Sequence, residues 1–280
     1  MSDTTRQQQI LNAMGIDQWV PKEQLRVVVE PEVEAAKPGS LPPVQHATIT
    51  TATPQVQPGV EPGNILGRNK KPEEKEKPVE EKPLIYTQPD ADKIKSLDWG
   101  PLQKLISECG ACELHEGRTQ TVFGTGKKDA SWLIIGEAPG QQEDIQGEPF
   151  VGRAGQLLDN MLLAVGQPRE TVYIANVVKC RPPGNRDPKD EETSACQSYL
   201  KRQVELIKPD LILVVGRIAA QSLLATTTPV GKLRGQVYQF PGTQIPMIIT
   251  YHPAYLLRRP SEKAKSWQDL KLAMATYNAI

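Results

Sequence analysis

The stretch Ile134–Gly155, IIGEAPGQQEDIQGEPFVGRAG, decides how the rest of the chain is read. An apolar run enters a turn dense in glycine, proline and acids, and a helical pattern leaves it. In open α/β sheets, turns of this kind sit outside the carboxyl ends of the strands, where such folds bind ligands. Glu137, Glu143 and Asp144 bring carboxylates to the turn, and Phe150 adds an aromatic in a chain with only 5% of them. Gly136, Gly140, Gly147, Gly152 and Gly155 let backbone approach a ligand closely. A plain surface loop capped by acids has no need of that combination.

Outward from this stretch, apolar runs alternate with helical patterns. Ser131–Gly136, Val172–Val178, Asp210–Val215 and Pro246–Tyr251 read as strands. Ala154–Val165, Asp190–Ile207, Arg217–Leu224 and Glu262–Tyr277 read as helices, and Asp190, Glu191 and Glu192 suit the positive N-terminus of the second. Strand–helix alternation with short connections predicts an α/β fold, a central four-stranded parallel sheet flanked by helices.

The folded domain is expected over residues 94–280. Residues 27–93 are rich in proline and charge, as in KKPEEKEKPVEEKP, and cannot bury enough apolar surface to offset the entropy of ordering, so they read as a disordered linker. Ahead of it, residues 1–26 carry a short helical pattern stopped at Gly15. Lys+Arg and Asp+Glu balance at 33 each, so net charge names no partner. No signal peptide is apparent and no apolar run is long enough for a bilayer, which predicts a cytoplasmic protein without membrane association.

Four cysteines are too few for a secreted disulfide scaffold. Cys109 and Cys112 form C-x-x-C, Cys180 ends the second strand and Cys196 lies in the next helix. Two close thiolates and two distant ones can surround one metal centre, and spacing leaves zinc and iron–sulfur both open.

At these residues the chain resembles the family-4 uracil-DNA glycosylases, the iron–sulfur class of bacteria and archaea. The likeness runs over about Leu102–Leu272 through C-x-x-C-x-L (Cys109–Leu114), FGTG (Phe123–Gly126), GEAPG-x-x-E-D-x-x-G-x-PFVG-x-AG-x-LL (Gly136–Leu158), N-x-x-K-C-R-P-P-x-N-R (Asn176–Arg186) and HPAYLLR (His252–Arg258). It implies a [4Fe–4S] cluster on Cys109, Cys112, Cys180 and Cys196, excision of uracil from single- or double-stranded DNA, entry into base excision repair, and a monomeric enzyme.

It also implies a site. Gly136, Ala138, Pro139, Gly140, Phe150 and Asn176 fall at substrate-binding positions. Phe150 can stack on a flipped pyrimidine. An Asn176 amide offers a donor and an acceptor that match uracil O4 and N3–H, a pattern cytosine reverses. His252 can hydrogen-bond the developing oxyanion. The better-known glycosylase class carries an Asp in G-Q-D-P-Y where this chain has Ala138, so the carboxylate that orients water must be Glu137 or Glu143, and the resemblance favours Glu143. Arg181, Arg186 and Arg258 can grip phosphates, within a stretch Arg217–Lys265 that holds seven Lys/Arg against Glu262 alone. Leu256 and Leu257 can wedge into the stack the base leaves.

Two other functions compete: a non-catalytic DNA-binding or polymerase-associated iron–sulfur module, and an electron carrier. Retention of Glu143, Phe150, Asn176 and His252 together favours the glycosylase, since neither alternative needs that set. Residues 7–20, QQILNAMGIDQWV after Gln7, resemble the N-terminal peptide of the clamp-loader psi subunit, which implies docking on the chi subunit.

Overall fold

The computed structural model describes residues 86–280. The expected N-terminal helix, the docking peptide at residues 7–20 and the linker up to residue 85 lie outside the described residues. Six strands form one sheet: β1 (Thr125–Gly126), β2 (Trp132–Gly136), β3 (Tyr173–Asn176), β4 (Leu211–Val215), β5 (Val237–Gln239) and β6 (Pro246–Thr250), in the spatial order β1-β3-β2-β4-β6-β5. The inner four are parallel, as the apolar runs predict. The expected four-stranded sheet is extended at each edge by a short antiparallel strand, β1 on β3 and β5 on β6. These edges are only 2 and 3 residues long and largely unburied, too short to show an alternating pattern.

Ten α-helices surround the sheet among the described residues: α1 (Ala91–Lys95), α2 (Trp99–Ser107), α3 (Leu114–Gly117), α4 (Gln141–Gln146), α5 (Arg153–Ala164), α6 (Asp190–Ile207), α7 (Arg217–Leu224), α8 (Val230–Leu233), α9 (Pro253–Arg258) and α10 (Lys263–Tyr277). The first begins at Ala91 because the Asp90 carboxylate accepts from the backbone N–H groups of Asp92 and Lys93. Its Ile94 joins Leu102, Ile106, Phe123 and Tyr199 in a small core of its own.

Every residue of β2 and β4 is buried, which explains why both read as unbroken apolar runs. Their side chains alternate between two cores. Leu133, Ile135, Ile212 and Val214 face the side holding α6 and α7, with Cys112, Cys180 and Cys196 in the same cluster. Trp132, Ile134, Leu211 and Leu213 face the side holding α5, Leu256 and the Leu270 and Ala273 side of α10. Burial of a Leu or Ile stabilises by roughly 1.5–3 kcal/mol, so these two layers carry the fold.

The chain passes from β2 to β3 on one side, then back across β2 to β4 on the other. That reversal opens a crevice at the strand ends, and the loops after β2, β3, β4 and β6 all converge on it.

Candidate active site

The crevice is a cleft of about 750 Å³. Glu137, Ala138, Pro139 and Gly140 enter it from the loop after β2, Glu143 from α4, Phe150 from the turn ahead of α5, Ala154 from the start of α5, Asn176 from the end of β3, and His252 from just past the end of β6. The substrate-binding positions expected from the sequence are thereby brought to one place. Gly136 lies beneath it, paired in register with Asn176. A side chain at Gly136 would collide with Asn176 Oδ1 and come within 2.7 Å of the Phe150 ring, so this strand end must be glycine for those two groups to meet.

Asn176 is 2% exposed, and its Oδ1 has no hydrogen-bond partner among the described residues. A buried acceptor without a partner costs about 1–3 kcal/mol, and such groups in native structures call for a functional account. Its backbone is held from behind: the Lys179 ammonium, 1% exposed, donates to the Asn176 carbonyl at 2.8 Å and to Gln203 Oε1 at 2.6 Å.

His252 is the N-cap residue of α9, and its Nδ1 accepts from the Ala254 backbone N–H at 3.1 Å. The ring proton therefore sits on Nε2, which makes that nitrogen the donor. Burial, helped by the Arg258 cation, pulls the imidazole down to about 4, so it is neutral at physiological pH. The Phe150 ring stacks on it with centroids 5.5 Å apart and planes 27° apart.

The two glutamates differ in what they do. Glu143 Oε1 accepts from the backbone N–H groups of Val151 at 3.1 Å and Gly152 at 3.3 Å, which ties the carboxylate to the turn beyond Phe150. Glu137 has no such tie among the described residues. Burial, and next the charge of Asp187, push its carboxyl up to about 7, against the opposing pull of Arg217. Asp187 and Arg217 are themselves an ion pair at the cleft wall. Asp144, the third acid of the turn, is 3% exposed and accepts from the Thr119 backbone N–H at 2.9 Å, a structural tether away from the cleft.

Several expected DNA contacts change. Leu256 is fully buried in the core against α5 and α10, so it cannot leave to wedge between bases. Its neighbour Leu257, 36% exposed, is free to do so. Arg186 lines the cleft, yet its guanidinium is held bidentately by the buried Glu192 at 2.6 and 2.9 Å. Arg181 donates to Asn185 Oδ1 and does not line the cleft, whereas Arg258 does. Of the seven cations between Arg217 and Lys265, Arg217, Arg234 and Lys265 are each paired with a carboxylate, so the field there is weaker than the sequence implies. Arg217, Tyr251 and Tyr255 also line the cleft and were missed by motif reading. The signal was available for the first two, since Tyr251 follows the end of β6 directly and Arg217 follows the end of β4 after one glycine.

The C-x-x-C pair and the two distant cysteines line one small pocket on the α6 side of the sheet. None is disulfide-bonded. Burial pushes the Cys112 thiol up to about 11 and the Cys196 thiol up to about 12, so they become thiolates only beside a compensating cation. Arg118 donates to Cys180 Sγ at 3.2 Å and to the Cys109 carbonyl at 2.8 Å, bridging the first pair to the third cysteine. Among the described residues no three His, Cys, Asp or Glu side chains gather closely enough to hold a single metal ion.

Residues 123–271 match the family model described as the uracil DNA glycosylase superfamily. The chain is similar to a type-4 uracil-DNA glycosylase of Archaeoglobus fulgidus, 44% identical over 64% of this chain and 92% of the relative. A second, of Pyrobaculum aerophilum, is 42% identical over 63% of this chain and 93% of the relative, and a third, of Thermotoga maritima, is 44% identical over 59% and 88%.

Proposed function

The chain belongs to the uracil-DNA glycosylase superfamily, and from that premise we propose that it is a type-4 enzyme that hydrolyses the N-glycosidic bond of a flipped deoxyuridine in DNA and so starts base excision repair. The observation that carries the reading is Asn176 Oδ1, a buried acceptor without a partner among the described residues, at the floor of the cleft. Uracil N3–H supplies the missing donor while the Asn176 Nδ2 donates to O4. Cytosine presents an acceptor and a donor at those two places, which leaves both halves of the amide opposed.

The Phe150–His252 stack forms one wall for the flipped base. Cleavage sends the bonding electrons into the pyrimidine, and the negative charge spreads onto its oxygens. The neutral His252 donates its Nε2–H to that charge, a preorganised contact of the kind typically worth a few kcal/mol. The sugar carbon left behind is electron-poor. Glu137, as carboxylate, stabilises it and takes the proton of the water that adds there, while uracil leaves as an anion that solvent protonates. We assign Glu137 this role ahead of Glu143 because Glu143 is engaged with the Val151 and Gly152 amides. Arg258 and Leu257 serve phosphate and vacated stack.

The cysteine set fits a [4Fe–4S] cluster. Four thiols that form no disulfide line one pocket, three of them buried, and four thiolates are the ligand set such a cluster takes. When bound, the cluster would cross-link the segment before β1, the loop after β3 and α6. Cys109, Cys112, Cys180 and Cys196 would hold it, away from the cleft in which the glycosidic bond is broken. A monomeric, cytoplasmic enzyme whose residues 7–20 dock on the clamp-loader chi subunit completes the reading, and calorimetry of chi with a 1–26 peptide tests that last part. No helix among the described residues is long and apolar enough to cross a membrane.

The central test is direct. Full-length protein mixed with uracil-containing single- and double-stranded oligonucleotides is expected to leave alkali-labile sites at uracil and none at cytosine. Intact strands after alkali, with folded protein, overturn the proposal.

A further inference from the structure

Phe150 adopts a left-handed backbone conformation, φ 56°, which L residues with bulky side chains rarely take. Such strain persists only where the surroundings over-determine it, and at functional sites it is a form of preorganisation. Three groups grip this one turn. Glu143 accepts from the amides of Val151 and Gly152 on the far side. Gly155 lies against the Phe150 carbonyl so closely that any Cβ there would overlap it. The third group is Arg169, from the segment ahead of β3. Its Nη2 donates to the Pro149 carbonyl at 2.6 Å and its Nη1 to the Phe150 carbonyl at 3.3 Å. Asp159, on the outer part of α5, accepts from the same Nη1 at 3.0 Å and aims the guanidinium. Arg169 does not line the cleft, and no other part of the catalytic proposal uses it.

We propose that Arg169, aimed by Asp159, is a positioning residue that locks the Pro149–Phe150 carbonyls and thereby holds the Phe150 ring on His252 in the orientation that receives the flipped base. Its planar fork is what allows two successive carbonyls to be held at once, and a lysine offers a point charge in its place. Without the clamp, the turn relaxes toward ordinary φ, and the ring swings off the imidazole. The catalytic part of this inference rests on the glycosylase reading, whereas the geometric part does not.

The test uses the full-length holoprotein with R169K, R169M, F150A and the R169M/F150A pair. Uracil excision by R169M is expected to fall roughly tenfold in kcat/KM, the order of effect of losing one strained, preorganised conformation. R169K, which keeps one carbonyl contact, is expected to recover part of that. In the F150A background, R169M is expected to cost nothing more, because the clamp acts only through the ring. An NMR readout needs no activity at all: the His252 ring protons, shielded by Phe150, are expected to move downfield in R169M and partway in R169K. A full R169M loss that persists in F150A, wild-type rates in R169M, or unmoved His252 signals each overturn the proposal. His252 signals that move as expected in R169M, together with no uracil excision by the wild-type protein, sink the glycosylase reading and leave the clamp standing.

Discussion

The assignment of Glu137 as the working carboxylate makes a pH-dependent claim. Its carboxyl is pushed up to about 7, by burial first and by the Asp187 charge second. If the ionised form is required, about one-tenth of free enzyme is competent at pH 6 and about nine-tenths at pH 8, so kcat/KM is expected to rise about tenfold across that interval. His252 does not interfere, since it is held down to about 4 and stays neutral throughout. The limb should be single and centred near 7. Glu137→Gln cannot ionise, so it is expected to flatten the limb and lower the rate by on the order of a hundredfold. Asp187→Asn removes the neighbouring like charge and frees Arg217, and both changes lower the Glu137 pKa, so the limb moves to lower pH with activity retained. The measurement is kcat/KM on a uracil-containing single strand from pH 5.5 to 9, because this ratio reports the free enzyme. A wild-type profile flat between pH 6 and 8, or a rising limb that survives in Glu137→Gln, refutes the reasoning and returns the role to Glu143.

Asn176→Asp replaces the Nδ2 donor with a second acceptor: uracil excision is expected to drop by about 10²-fold or more, and single-turnover rates on paired uracil and cytosine substrates would reveal unchanged discrimination if the amide does not read the base. Leu256→Ala should destabilise the fold by about 2–5 kcal/mol as a core cavity, whereas Leu257→Ala should leave the melting temperature unchanged and slow excision from duplex more than from single strand; equal melting temperatures for the two variants contradict the placement. Purified protein is expected to be brown with four irons bound by four cysteines, and Cys196→Ala to lose both iron and solubility; stoichiometric zinc in anaerobic preparations rules that out. Gly136→Ala is expected to abolish excision with the fold retained by circular dichroism, since its Cβ intrudes on Asn176 and Phe150; wild-type activity in that variant means the two groups do not need to meet there.

Much of this molecule was legible in its order of residues, for a physical reason. Parallel strands buried on both faces must be apolar throughout, so WLIIG and LILVV announce themselves, and helices that cover them repeat at 3.6 residues, so Asp190–Ile207 and Arg217–Leu224 could be bounded as the structure has them. The turn after β2, the Asn at the end of β3 and the His at the end of β6 follow from the same logic, because strand ends in a parallel sheet meet on one edge. What the sequence could not hold is anything fixed by a partner distant in the chain. Edge strands of 2 and 3 residues exist only because β3 and β6 are there to pair with them. Leu256 and Leu257 are adjacent and chemically alike, and only the packing of α9 on α5 sends one into the core and the other to solvent. Glu137 and Glu143 are equal as letters. The fold alone gives one a pair of backbone amides to hold and leaves the other in a poorly solvated cleft beside Asp187. Arg186 and Arg169 are likewise bare cations in the sequence. Whether each meets a buried carboxylate, a phosphate or the carbonyl of a strained phenylalanine is decided by three-dimensional neighbours, since electrostatic and hydrogen-bond partners are chosen by distance in space and not by separation along the chain.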